Sequence, residues 1–156
     1  MAEPLPSDVG SIDLVVAALY DVISGPAGQR SDWDRLRALF YPGARLLRTV
    51  VSPEGKAETG AMDAEGFILM ASPYFEAQGF FEREVARRVD QFGHIAQVFS
   101  TYAAAADPDG REPLGRGINS IQLWFDGQRW WVMSLLWDDE RPANPIPPHL
   151  LPEEKS

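Results

Sequence analysis

Between Ile12 and Ile23 the apolar residues Val15, Val16, Leu19 and Tyr20 recur with both ends at spacings of three and four. That period predicts an amphipathic helix. Ser11 stands where an N-cap is needed, and Gly25-Pro26 ends the run. A second helix is predicted from Ser31, which is followed three residues later by Asp34 in a shortened capping box, with Trp33, Leu36 and Phe40 on one face. Tyr41-Pro42-Gly43 closes it, and residues 44–52 read as a first strand before the turn at Pro53 to Lys56. Asp63 can cap a third helix whose inner face holds Phe67, Met70, Ala71, Tyr74 and Phe75. Pro73 is expected to kink or shorten it.

The pattern then changes from a helical period to an alternating one. Runs at 80–92, 94–105, 114–125 and 129–138 are separated by Gly93, by Asp107-Pro108-Asp109-Gly110 and by Asp126-Gly127. The last two separators are strong hairpin signals. Strands this long must twist and curl, and helices beside the concave face then complete a cone. The fold class expected is α+β: a strongly curved antiparallel sheet wrapped by three helices from the N-terminal half. Prolines gather at the two ends, at Pro4 and Pro6 and again from Pro142 to Pro152. One domain over residues 1–140 is expected, with an extended entry and a Pro-rich tail over 141–156.

Composition narrows the chemistry. The 156 residues include no cysteine and two histidines, with 14 Lys+Arg against 23 Asp+Glu for a net charge of −9. Disulfides, thiol nucleophiles, iron–sulfur clusters and cysteine-based zinc sites are excluded. His94 and His149 lie far apart without acidic ligands at metal-binding spacing, so no metal and no cofactor is expected. An acidic chain suits a phosphate backbone poorly, which argues against nucleic acid. Met1 to Gly10 has neither a basic stretch nor an apolar core, and no apolar run nears the ~20 residues that span a bilayer. A soluble, cytoplasmic protein without membrane contact is expected.

Single positions then stand out against the pattern. Gly117, Asn119, Ile121, Leu123 and Phe125 share one strand face, so one amide lies on an otherwise apolar surface. Such an amide needs a partner, which is either an internal hydrogen bond or a ligand. Arg83 and Arg87 alternate with Phe81, Val85 and Val89, opposite Glu82, Glu84, Arg88 and Asp90. These arginines either pair with acids across strands or bind a carboxylate or phosphate. In the last strand Trp131, Met133, Leu135 and Trp137 alternate with Trp130, Val132, Ser134 and Leu136, so both faces are apolar. One face can meet the helices and a cavity; the other calls for the tail or a second subunit. Asp138, Asp139 and Glu140 form a solvated strand end or an acid–base cluster. The tail, with Ile146, Leu150 and Leu151, could lie over a cavity mouth or over a neighbouring subunit, or be disordered.

Two segments carry a resemblance. Asp32 to Leu46 (DWDRLRALFYPGARL) resembles the second-helix-to-first-strand segment of the nuclear transport factor 2-like superfamily, and Asp126 to Val132 (DGQRWWV) resembles its last hairpin. The resemblance covers about residues 10–140 and implies the cystatin-like α+β barrel. It also implies dimers formed through the outer face of the sheet. Ketosteroid isomerases of the superfamily carry an aspartate base near the position of Arg48, and arginine cannot abstract a proton at neutral pH. Their oxyanion-hole aspartate corresponds to Asn119, whose amide can still donate, while Tyr20 is close to their tyrosine but out of register. Scytalone dehydratases use a histidine pair absent here, although Asn119 and Ser120 echo their asparagine and serine. SnoaL-type polyketide cyclases share the fold as well.

The sequence reading is therefore a small-molecule-binding protein with a mostly apolar cavity. Asn119, Arg48, Arg83, Tyr20 and Trp33 are the candidate ligand contacts, although an ordinary core position is the favoured reading of Trp33 taken singly. Alternatives are an isomerase, dehydratase or cyclase of a small hydrophobic oxygenated ring compound, with Asn119 polarising a carbonyl, or an accessory dimer with a filled cavity. No catalytic set is intact. A homodimer through the outer sheet face is expected in each case.

Overall fold

The computed structural model describes residues 6–29 and 31–154; the expected extended entry at Pro4 lies outside them. Pro6 instead opens a short helix, α1 (Pro6–Val9), followed by α2 (Ile12–Ile23) and α3 (Trp33–Leu39). Then come β1 (Phe40–Val51), β2 (Ala57–Met62) and α4 (Ala64–Ala77). Four long strands complete the body: β3 (Phe81–Phe92), β4 (Ile95–Ala105), β5 (Pro113–Phe125) and β6 (Trp130–Asp139).

The caps are local and chemical. Ser11 Oγ accepts from Leu14 N at 3.1 Å, and Asp63 Oδ1 accepts from Gly66 N at 2.8 Å. The N-cap of α3 is Asp32 rather than Ser31, because the Asp32 carboxylate reaches Arg35 N at 3.1 Å. Helix α4 runs through Pro73 without ending there. At the β5–β6 turn Gly127 has φ +102°, a conformation that favours glycine, and Asp126 Oδ1 accepts from Gln128 N and Arg129 N.

The sheet order is β2-β1-β6-β5-β4-β3. All pairings are antiparallel except β1–β6, which is parallel, so the sheet is mixed. It is also not closed: β2 and β3 are its edges. Strand β2 was not expected, because Ala-Glu-Thr-Gly-Ala has no apolar alternation to read. Helices α2, α3 and α4 pack on one face of this sheet, around a core that includes Val15, Val16, Leu36, Leu39, Val98 and Val132.

Two bulges reset the alternation. Val85 is extra in β3, between the Glu84–Tyr102 and Ala86–Thr101 pairs. Met133 is extra in β6, between the Leu123–Val132 and Gln122–Ser134 pairs. Each bulge moves the following side chains to the opposite face. In β6, Trp130 and Val132 are buried on the core side, and after Met133 it is Leu135, Trp137 and Asp139 that line the cavity. The uniform alternation expected for this strand is thus broken in the middle.

The tail crosses the other face of the sheet. Thr101, between the inward Ser100 and Tyr102, donates its hydroxyl to Leu150 O at 2.5 Å, where residues Pro148–Leu150 form a 3-10 turn. Ile146 and Leu150 are buried there.

Candidate functional site

A space of about 550 Å³ lies between α2, α4 and the sheet. Its apolar wall is built from Leu36, Phe40, Leu46, Phe67, Ile121 and Trp137. The polar wall comes from four elements: Tyr20 of α2, Glu82 of β3, Asn119 of β5 and Asp139 of β6, with Tyr102 of β4 beside them.

Local structure brings these side chains together. The end of α2 is fastened to the start of β3 by backbone bonds between Gly25 and Phe80, 2.8 and 3.0 Å long. Glu82 N donates to Ser24 Oγ at 3.0 Å, while Ser24 Oγ donates to Tyr20 O at 2.8 Å. This clasp places the Glu82 carboxyl next to the Tyr20 ring. In register, Asn119 pairs with Ser100 on one side and Trp137 on the other.

The direction of each hydrogen bond follows from one anchored end. Glu84 is held by Arg87, whose Nε lies 3.0 Å from the carboxylate, so Ser100 must donate its hydrogen to Glu84. Ser100 Oγ then accepts from Tyr20 Oη at 2.6 Å. Tyr20 Oη, having donated, accepts from Asn119 Nδ2 at 3.1 Å, and the same nitrogen donates to Glu82 Oε1 at 3.2 Å. Tyr102 Oη donates to Asp139. Both amide hydrogens of Asn119 are therefore directed at protein groups. The expected role of polarising a substrate carbonyl does not fit this geometry.

Electrostatics single out Glu82. Burial pushes its carboxyl up to about 7; the Asn119 bond lowers it and the Asp139 charge raises it further. Burial also raises both Tyr20 and Tyr102, the latter helped by Asp139. At neutral pH Glu82 is poised to take or give a proton, the condition for general acid–base work.

Tyr20, Asn119 and Arg48 lie on the wall of this space. Arg83 does not: it is exposed and lines a neighbouring surface groove of about 700 Å³ that also reaches Glu82 and Tyr20. Before the Val85 bulge the inward positions of β3 belong to Glu82 and Glu84, the reverse of the expected facing. Arg87 returns to the inner face after the bulge, opposite Ser100, and ion-pairs with Glu84. Trp33 stands behind the wall, stacked on Phe75 at 5.9 Å and edge-on to Phe67 at 6.4 Å. Glu82, Tyr102 and Asp139 were not among the sequence candidates. Only Asp139 had a signal, as part of the acidic run after Trp137.

Comparison with solved structures places the fold. A protein of unknown function with a cystatin-like fold from Nostoc punctiforme superposes with a TM-score of 0.63, at 12% identity over 84% of this chain and 90% of that one. The chain has the cystatin-like, NTF2-like fold. A candidate dehydratase of the NTF2-like family from Streptomyces avermitilis matches with a TM-score of 0.58, at 14% identity over 86% and 96% of the two chains. A candidate calcium/calmodulin-dependent protein kinase II association domain from Xanthomonas campestris matches with a TM-score of 0.59, at 17% identity over 88% and 93%. No family model matches the sequence, and no curated protein matches it significantly. Among the described residues no helix is long and apolar enough to cross a membrane. Identities this low carry the NTF2-like fold and not an activity.

Proposed function

We propose that the chain binds a small, largely apolar molecule in the space between α2, α4 and the sheet. The observation that carries this reading is the wall itself: aromatic and aliphatic on most sides, with Glu82, Asn119 and Asp139 converging at one end. The test uses N-phenyl-1-naphthylamine, a neutral fluorophore of suitable size. Ala71 of α4 and Ala104 of β4 line the space from opposite sides. Ala71→Trp and Ala104→Leu should each weaken probe binding at least tenfold in a fluorescence titration, with the circular dichroism spectrum unchanged. Unchanged affinity in two folded variants would overturn the reading.

A second reading has its own support. The Glu82 carboxyl near 7 favours proton transfer, so the bound molecule would be isomerised, dehydrated or cyclised with Glu82 as acid and base.

The outer sheet face is proposed as a homodimer surface where the tail leaves it open. Phe99 and Leu136 are 36% and 42% exposed there. Leu136→Glu should convert a dimer to a monomer by light scattering; a parent that is already monomeric at micromolar concentration would count against the dimer.

A further inference from the structure

The hydrogen-bond directions around Asn119 have a chemical consequence for what can bind. With Glu82 ionised, as it is above pH 7, every hydrogen in the cluster is committed: those of Asn119 Nδ2 to Tyr20 and Glu82, that of Tyr20 to Ser100, that of Ser100 to Glu84, and that of Tyr102 to Asp139. What remains toward the space is acceptors. Asn119 is nine-tenths buried, yet its Oδ1 has no partner among the described residues. Glu82 Oε2 and the second oxygen of Asp139 are likewise without partners among them. Neither carboxylate has an ion-pair partner among the described residues, whereas Glu140, beside them, is held at 2.9 Å by both Arg116 Nε and Nη2.

Asn119 Oδ1, Glu82 and Asp139 offer a ligand oxyanion or carbonyl nothing to accept from. They match a group with several hydrogens and a positive charge. We infer that the molecule bound here is an organic cation, a protonated primary amine on an aromatic or aliphatic body. Its ammonium sits among Asn119 Oδ1, Glu82 and Asp139. Its body lies against Trp137, which neighbours Asn119 in the sheet register, and Phe67, which meets Trp137 edge-on at 6.4 Å. Aromatic faces beside an ammonium add cation–π attraction. Glu82 and Asp139 raise each other's energy when both are charged, and a cation between them removes that repulsion. The other charged groups on the wall are Arg116, neutralised by Glu140, and Arg48. Arg48 lies in the same cross-strand row as Asn119 with Trp137 between them, two strands or roughly 10 Å away.

This inference rests on the cavity being a binding site, and the test separates the two. Isothermal titration at pH 8 compares 1-naphthylmethylammonium with the neutral 1-naphthalenemethanol and the anionic 1-naphthoate. The cation should bind at least tenfold more tightly than the alcohol, and the carboxylate least tightly. Asp139→Asn and Glu82→Gln should each lower affinity for the cation about tenfold while leaving the alcohol within twofold. The preference for the cation should shrink from pH 8 to pH 5.5 as Glu82 takes up its proton. Alcohol or carboxylate binding as tightly as the cation, with N-phenyl-1-naphthylamine still bound, overturns the cation and keeps the cavity; a carboxylate preference would transfer the polar contact to Arg48. Loss of binding by all four probes overturns both readings.

Discussion

Replacing Gly117 with alanine is expected to lower the melting temperature by about 10 °C. A Cβ at this position would lie 2.2 Å from Tyr102 Oη and 2.4 Å from Asp138 O. No side chain fits at such distances without moving its neighbours, and one of those neighbours is backbone of β6. Overpacking of this kind costs about 3 kcal/mol, and each kcal/mol moves the midpoint by roughly 2–4 °C in a domain of this size. Gly117 pairs with both Tyr102 and Asp139 in the sheet register, so the missing side chain is the hole in which the Tyr102 hydroxyl meets Asp139. The effect should therefore be partly relieved by Tyr102→Phe, which removes the nearest of the three clashing atoms and leaves the ring carbon at 2.5 Å and the Asp138 carbonyl. Scanning fluorimetry on the parent, both single variants and the double variant gives the coupling. Purely additive losses would mean that the glycine serves the strand and not the tyrosine.

That glycine also shows which parts of the molecule can be read from the chain. The faces of α2 and α4 were legible because helical period and capping are local: Ser11 and Asp63 cap where their positions predicted. The inner face of β5 was legible because its alternation runs unbroken through Gly117, Asn119, Ile121 and Leu123, all buried. The acid–base part of the site was not. Glu82 was assigned to the outer face because alternation carried straight along 80–92 cannot register an extra residue, and Val85 bulges with no glycine or proline to announce it. In β6 the bulge at Met133 likewise splits both expected faces, so that Trp130 and Val132 share the core side with Leu135 and Trp137. The hydrogen-bond directions around Asn119 depend on Ser100 and Glu84, 19 and 35 residues away in sequence and adjacent only through strand pairing. A short-range pattern holds no information about such a network. The parallel β1–β6 pairing is hidden for the same reason, since it joins two strands separated by most of the chain.

Glu82→Gln is expected to stabilise the ligand-free protein above pH 7 and to leave it nearly unchanged at pH 4.5. The folded carboxyl titrates at about 7 against an ordinary value of 4.5. Between those values the folded chain holds more protons than the unfolded chain, so stability falls as pH rises. A shift of this size corresponds to a loss of about 3 kcal/mol, complete once pH exceeds the folded value. Glutamine keeps the shape and can still accept from Asn119 Nδ2, but it carries no charge to desolvate. Urea unfolding at pH 4.5, 6, 7 and 8 should show the two proteins converging at the acid end and separating steadily toward the alkaline end. Parallel curves would mean that the carboxyl is hydrated in the folded state, and the acid–base reading of the cavity would fall with it. Glu84, two residues away on the same face, supplies the contrast. Its charge is matched by Arg87 and receives the Ser100 hydroxyl, so Glu84→Gln should destabilise by about 1 kcal/mol. Opposite signs from two carboxylates on one strand are what a proton-binding site beside a structural ion pair requires. Equal signs would place both in the structural role.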